Sequence, residues 1–331
     1  MNHQSVWEQL TKLPFLGLYE KLVNSSIELD VFSQLTKPVT SKELAQKMGW
    51  HVQNTDYLLS ALVSIGFLEK EKNSYKNTEE VNRYLIKGKP EYLGDFLLFY
   101  GQNEGTAPMD VKKLVSEGPG MPMHMEQSLD FQQYGDTLRK AQKGYRQKEL
   151  LEIVRSLPEN KSIHHILDLG CATGLLGLAV IEDEEDRHGV LFDQIPSVLI
   201  QESIDNAGLA KKAVVKTGNF ITDDLGQNYD LILAVGVMLF AKGHMEDLLK
   251  KCYDALNPGG VLLVVGEGIY ADHTGPWDMV LGYLPYYFQG MDLGVLQNEV
   301  SDAAKKVGFL RSEQYTKLLC SGTQDICILR K

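Results

Sequence analysis

Cysteine is scarce in this chain and follows no pattern. The four present in 331 residues, Cys171, Cys252, Cys320 and Cys327, form no C-x-x-C pair and no metal-ligand spacing. That excludes a disulfide scaffold and a spelled-out zinc site, so no metal is expected. The thiols read as reduced and mostly buried. Basic charge is also short: 33 Lys and Arg face 44 Asp and Glu, a net charge of −11. Nucleic acid is thereby a poor main partner, because phosphate binding needs a basic face. No apolar run approaches the roughly 20 residues of a membrane span, and the polar start, Met1 to Trp7, has no secretory core. No membrane partner is expected, and the expected location is cytoplasmic. What remains, 44% hydrophobic and 23% charged residues, is a globular composition long enough for two domains.

The chain is organised around Ile166-Leu167-Asp168-Leu169-Gly170-Cys171-Ala172-Thr173-Gly174. An apolar run from Ile163, broken by His164 and His165, predicts a buried strand that ends in a glycine turn. Leu175, Leu176, Leu178, Ala179 and Ile181 then carry a helical pattern. Strand, turn and helix bring backbone N–H groups and a positive helix end to a ligand. The spacing is D-x-G-x-x-x-G. A dinucleotide fingerprint places its second glycine two residues after the first, so a nicotinamide site is a poor reading. The turn resembles the nucleotide loop of class I S-adenosylmethionine (SAM) methyltransferases. Cys171 stands where a small residue is needed and is assigned no chemistry.

Before this stretch, Leu10 to Leu35 has helical apolar spacing. Thr40 to Gly49 predicts a capped short helix, Asn54 to Ile65 a second, and Phe67 to Glu69 with Asn73 to Lys76 a hairpin. Together these make a winged helix. Its would-be recognition helix offers His51, Gln53, Asn54, Asp56 and Tyr57 but no Arg or Lys, the residues a major-groove reader brings to bases and phosphates. Burial against a second copy explains the apolar faces better than DNA. A loop rich in Pro, Gly and Met, including Met125, follows. A long helix from Phe131 to Leu157 then leads into the sheet. Boundaries are placed at 1–100, 101–157 and 158–331.

Beyond the turn, Glu182 to Asp186 reads as a solvated helix end. Asp193 ends a second strand 19 residues after Gly174, where a carboxylate can accept both hydroxyls of a ribose. A third strand ends at Gly218-Asn219-Phe220. Asn219 can meet an adenine amine and Phe220 its ring, or both can simply form the turn. A fourth strand, Tyr229 to Val235, and a fifth, Val261 to Val265, alternate with helices. The pattern predicts an α/β, doubly wound, mostly parallel sheet whose ligand lies at the carboxyl ends of its strands.

Across nearly its whole length, from about Leu16 to Leu329, the sequence resembles the O-methyltransferase family that includes plant caffeate and animal acetylserotonin methyltransferases. Phe192-Asp193-Gln194-Ile195-Pro196 is similar to that family's F-D-L-P motif, and Gly218-Asn219-Phe220 to its G-D-F. The resemblance implies a Rossmann-like SAM domain with an antiparallel last strand, a winged-helix dimerisation domain, SAM as donor and an intertwined homodimer. It implies a cofactor edge of Asp168, Gly170, Cys171, Gly174, Asp193, Gln194, Gly218, Asn219, Phe220 and Val235. Arg146 or Tyr145, on a helix similar to the family's, would meet the methionine carboxylate.

One position departs from the family. Its general-base histidine falls in an L-H-D-W segment after the fourth strand; here the segment is Val237-Met238-Leu239-Phe240-Ala241-Lys242. Leucine cannot take a proton from a phenol, whose pKa of about 10 calls for a base. Glu267 matches a family acid that orients the histidine, Asp292 roughly matches a second acid, and His273 lies in a nearby loop; these are the catalytic candidates. Met125, Tyr145, Met238, Leu239, Trp277, Tyr283 and Tyr287 are candidates for an apolar pocket holding a planar acceptor. The reading is a SAM-dependent methyltransferase acting on a small, aromatic or conjugated hydroxyl compound. Carbon or sulfur methylation is the alternative enzyme, and a SAM-sensing winged-helix regulator the alternative of another class.

Overall fold

The computed structural model describes residues 5–103, 110–118 and 131–331. It divides into two compact units, residues 1–106 and 107–331, and residues 107–157 fall within the second.

The first unit opens with helix α1 (Val6–Glu28), started by a capping box in which Ser5 accepts the N–H of Glu8 and Glu8 accepts that of Ser5. The apolar pattern running on to Leu35 is interrupted at Asp30, which adopts a left-handed conformation (φ 53°) and starts a separate short α2 (Val31–Gln34). Strand β1 (Val39–Thr40) leads into α3 (Ser41–Met48), capped by Thr40 and closed by left-handed Gly49. Helix α4 (Val52–Ser64) precedes the hairpin β2 (Leu68–Glu71) and β3 (Ser74–Asn77), and the three strands pair in the order β1-β3-β2. Buried Tyr75 ties the hairpin to α4: its hydroxyl donates to Asp56 Oδ1 at 2.9 Å and accepts from Lys70 Nζ at 2.6 Å. Helices α5 (Glu79–Tyr84) and α6 (Gly94–Asn103) complete the unit. Along α1, Val6, Trp7, Leu10, Leu13, Phe15, Leu16, Leu18 and Tyr19 are exposed.

In the second unit α7 (Val111–Glu117) precedes α8 (Phe131–Gln142) and α9 (Tyr145–Arg155). The single helix expected over 131–157 is therefore two. The break falls at Gly144, whose φ of 75° and ψ of −122° no other residue adopts readily. Then come β4 (His165–Leu169), α10 (Leu175–Glu182), β5 (His188–Asp193), α11 (Ser197–Ala207), β6 (Ala213–Thr217), β7 (Tyr229–Val235), α12 (Met245–Ala255) and β8 (Leu256–Gly266). Helices α13 (Trp277–Phe288) and α14 (Glu299–Val307) lead to the hairpin β9 (Arg311–Leu319) and β10 (Gly322–Arg330). The sheet order is β6-β5-β4-β7-β8-β10-β9, parallel except where β10 pairs with β8 and β9.

Both faces of the sheet are buried, so its strands read as nearly continuous apolar runs. The two-residue period still sorts them. Ile166, Leu191, Leu231, Leu233 and Leu263 pack with α9, α10 and α11. Leu167, Leu169, Phe192, Ile232 and Leu262 pack with α12 and α14. The acidic run after α10 is not simply solvated. Asp183 is 7% exposed in its side chain and pairs with Arg155 and with fully buried Arg187.

Candidate active site

The turn after β4 is built by hydrogen bonds to the next strand. Gly170 N–H and Cys171 N–H both donate to Phe192 O, at 2.8 and 3.2 Å. Gly170 and Gly174 are left-handed (φ 65° and 80°), and so is Ala172 (φ 49°), a conformation an alanine adopts only when its surroundings impose it. Asp193 supplies part of that: its Oδ2 accepts the N–H of Ala172 at 2.7 Å and its Oδ1 that of Ile195 at 3.1 Å. Burial raises the Asp193 pKa, opposed by the N–H groups of Ala172, Ile195 and Gln194. A carboxylate has about four acceptor positions, so the backbone N–H groups leave it acceptor capacity at the carboxyl end of β5. That acceptor set fits a ribose diol, and thus the nucleoside of SAM.

Asp168 sits deeper, 2% exposed, with Oδ2 accepting the N–H of Gly177 at 3.0 Å. Burial, aided by the charge of Asp193 and opposed by Gly177, pushes its pKa up to about 7. It shapes the join of β4 and α10. Cys171 is buried, its thiol pKa raised well above the ordinary value by the loss of solvent, which leaves it a packing residue. Gln194 is exposed.

Further along the same edge, Gly218 N–H donates to Asp193 O. Asn219 closes its own turn, its Oδ1 accepting Ile221 N–H and its N–H donating to Asp223 Oδ2, both at 2.9 Å. Phe220 is 8% exposed and meets Phe240 edge-on at 6.5 Å. Both readings of this pair, ligand contact and turn, stay compatible with that geometry. A cavity brings together Arg146 and Glu149 of α9, Leu176 of α10, the strand-end residues Val235 and Val265, and Ser321 and Gln324 of the last hairpin. Glu149 is buried and accepts the N–H of Cys320 on both oxygens, at 3.0 and 3.1 Å. Tyr145 lies beside Lys148, whose ammonium is 6.0 Å from the ring centre.

The acceptor-side candidates separate. Met238 is 2% exposed within the α12 core cluster, and Leu239 is half-buried against the same cluster. Asp292 is 64% exposed in its side chain and takes Lys242 Nζ at 2.7 Å; the same ammonium donates to Gly294 O at 2.6 Å. His273 is exposed, edge-on to Tyr287 at 6.1 Å. Tyr283 packs at 6.3 Å from Tyr287, whose buried hydroxyl has no hydrogen-bond partner; Trp277 is 43% exposed. Glu267 follows β8, and its Oε2 is buried with no hydrogen-bond partner. Met125 lies outside the described residues. Sequence reasoning missed Gln142, which bonds Cys171 and Thr173 of the turn, Gln147, which bonds Leu175 just after it, and Gly177, which bonds Asp168 just before it.

Two family models match: an O-methyltransferase dimerisation domain over residues 16–87 and a methyltransferase domain over 167–262. The chain is 24% identical to the 3-hydroxy-5-methyl-1-naphthoate 3-O-methyltransferase of Streptomyces sahachiroi, covering 80% of this chain and 79% of that one. It is 26% identical to the acetylserotonin O-methyltransferase of Bos taurus, covering 80% and 81%. The solved human N-acetylserotonin methyltransferase in complex with SAM has the same fold, with a TM-score of 0.70, 19% identity and coverage of 99% and 98%. With an O-methyltransferase dimerisation domain preceding a methyltransferase domain, and with O-methyltransferases among its relatives, the chain is a SAM-dependent methyltransferase.

Proposed function

We propose that the chain methylates a hydroxyl group on a small aromatic acceptor, with Glu267 receiving the proton. When bound, SAM supplies an electrophilic methyl group on a sulfonium sulfur. Asp193 holds the ribose, Asn219 and Phe220 flank the adenine, and Arg146 faces the methionine carboxylate. The aromatic relatives named above support the acceptor class, and Trp277, Tyr283 and Tyr287 offer planar surfaces for it. Exposed apolar side chains on α1 support a homodimer through the dimerisation domain. Free thiols go with a cytoplasmic setting.

The observation that carries the proton assignment is the partnerless, buried Oε2 of Glu267. A buried acceptor without a donor is costly, and an acceptor O–H supplies one. Of the two acids considered, Asp292 is already engaged by Lys242. Glu267 therefore takes the hydroxyl proton as the oxygen becomes the nucleophile, while half-buried Leu239 provides an apolar wall.

The test is a panel of hydroxynaphthoates and catechols incubated with SAM, reading S-adenosylhomocysteine formed. Glu267→Gln should lower turnover of any accepted compound by about 10²- to 10⁴-fold, the usual contribution of a general base, while S-adenosylhomocysteine binds unchanged. Wild-type turnover in that variant would remove Glu267 from the chemistry.

A further inference from the structure

Helices α8 and α9 meet at an elbow that grips the glycine turn from outside the motif. Gln142, the last residue of α8, is 7% exposed and spends its whole carboxamide on that turn. Its Nε2 donates to Cys171 O at 3.1 Å, and its Oε1 accepts the hydroxyl of fully buried Thr173 at 2.6 Å. The orientation is dictated, since a carbonyl can be met only by the amide's donor end, which leaves its oxygen for Thr173. Gln147 of α9 adds a second hold, donating to Leu175 O at 3.0 Å and accepting Gly144 N–H at 3.1 Å.

The turn is therefore fixed from two sides. From the sheet come Phe192 O and the Asp193 carboxylate; from the helices come two glutamines lying 28 to 31 residues away in sequence. Left-handed Ala172 lies between the two residues that Gln142 holds. Such a conformation persists only where the surroundings over-determine it.

We infer that Gln142 is a positioning residue for the methyl donor, acting through Cys171 and Thr173 to set the turn that presents main-chain groups to SAM. The inference rests on the reading that residues 170–174 hold the donor. Three consequences separate this role from packing alone. Loss of the carboxamide weakens the donor's binding in protein that is still folded. Loss of the Thr173 hydroxyl does the same in part. The two losses do not add, because one acts through the other.

Calorimetric titration with S-adenosylhomocysteine tests this, well below each variant's melting temperature and with folding checked by circular dichroism. Gln142→Ala should weaken binding tenfold or more. Thr173→Val should weaken it several-fold, Thr173→Ser should restore wild-type affinity, and the Gln142→Ala/Thr173→Val pair should bind no worse than Gln142→Ala. Binding within twofold of wild type in Gln142→Ala would overturn the inference. If that variant does not fold, equal affinities for Thr173→Val and Thr173→Ser would overturn it instead. Asp193→Ala distinguishes the positioning role from the placement of the donor. Should it weaken binding while the Gln142 and Thr173 variants do not, only the positioning role fails; should it too be silent, the placement of the donor fails.

Discussion

The N–H of Gly177 donates to Asp168 Oδ2 at 3.0 Å, and a Cβ on Gly177 would stand 2.5 Å from that same oxygen. The first turn of α10 thus rests directly on the carboxylate of β4, with no space between. Asp168 cannot withdraw, since its own Cβ would be 2.7 Å from the added carbon and it is buried on every side. Gly177→Ala gains at most about 1 kcal/mol of helix propensity, whereas forcing a carbon into a packed interior costs about 1–3 kcal/mol. The clash should win. A lower melting temperature, with weaker S-adenosylhomocysteine binding because α10 shares the glycine turn, is the expected result; a stabilised variant would show that the helix slides freely.

The same carboxylate makes stability depend on pH. Its folded pKa of about 7 lies above the ordinary value of 3.8. Between those values the native state holds a proton that the unfolded chain has released, so stability is fully present below about pH 4 and declines as pH rises to about 7. The whole effect is at most about 4 kcal/mol. Asp168→Asn removes the ionisation while its side-chain oxygen can still accept the N–H of Gly177. Urea unfolding should find this variant gaining on the wild type from pH 4 to 7 and level above pH 8. A difference independent of pH would place the titration elsewhere.

Much of this architecture is legible in the sequence because it is local. The strand, glycine turn and helix around Asp168 are spelled in consecutive residues, and strand-end Asp193 follows from the period of the next unit. Contacts across distance are not spelled. Gln142 and Gln147 read as ordinary helix-surface residues until α8 and α9 fold against the turn. Lys242 and Asp292, 50 residues apart, give no sign of pairing. Met238 illustrates a different limit: a pocket wall and a core residue want the same apolar side chain. The break at Gly144 was masked because the helical pattern continues on both sides of it.

Arg187 is a further case of long-range assembly. Its side chain is fully buried, donating to Ile163 O at 3.3 Å, Val180 O at 3.0 Å, Asn160 O at 2.8 Å, Asn160 Oδ1 at 2.7 Å and Asp183 Oδ2 at 3.4 Å. The guanidinium joins the segment before β4 to the end of α10. Arg187→Met keeps much of the volume but strands the carbonyls and the Asp183 charge. Removing one partner of a buried charged network costs about 3–5 kcal/mol. In a unit of this size that lowers the melting temperature by roughly 6–20 °C, which calorimetry would measure; a shift under about 2 °C would mean the carbonyls find other donors.

Asp193 carries the most direct test of the cofactor edge. Its Oδ2 accepts Ala172 N–H and its Oδ1 accepts Ile195 N–H, and the acceptor capacity left over fits a ribose diol. Asp193→Ala removes both and also releases Ala172 N–H from the turn. Hydrogen bonds to a charged group contribute about 1.5–3 kcal/mol, so S-adenosylhomocysteine should bind about 10- to 150-fold more weakly. Asp193→Asn keeps one acceptor and should fall between. Because burial raises the Asp193 pKa, wild-type affinity should also decline toward acid pH, as protonation turns one acceptor into a donor. The alanine variant should lose that pH dependence along with its affinity. Titrations of both proteins at pH 5.5 and 8 would decide it, and an alanine variant with wild-type affinity at both would take the ribose away from β5.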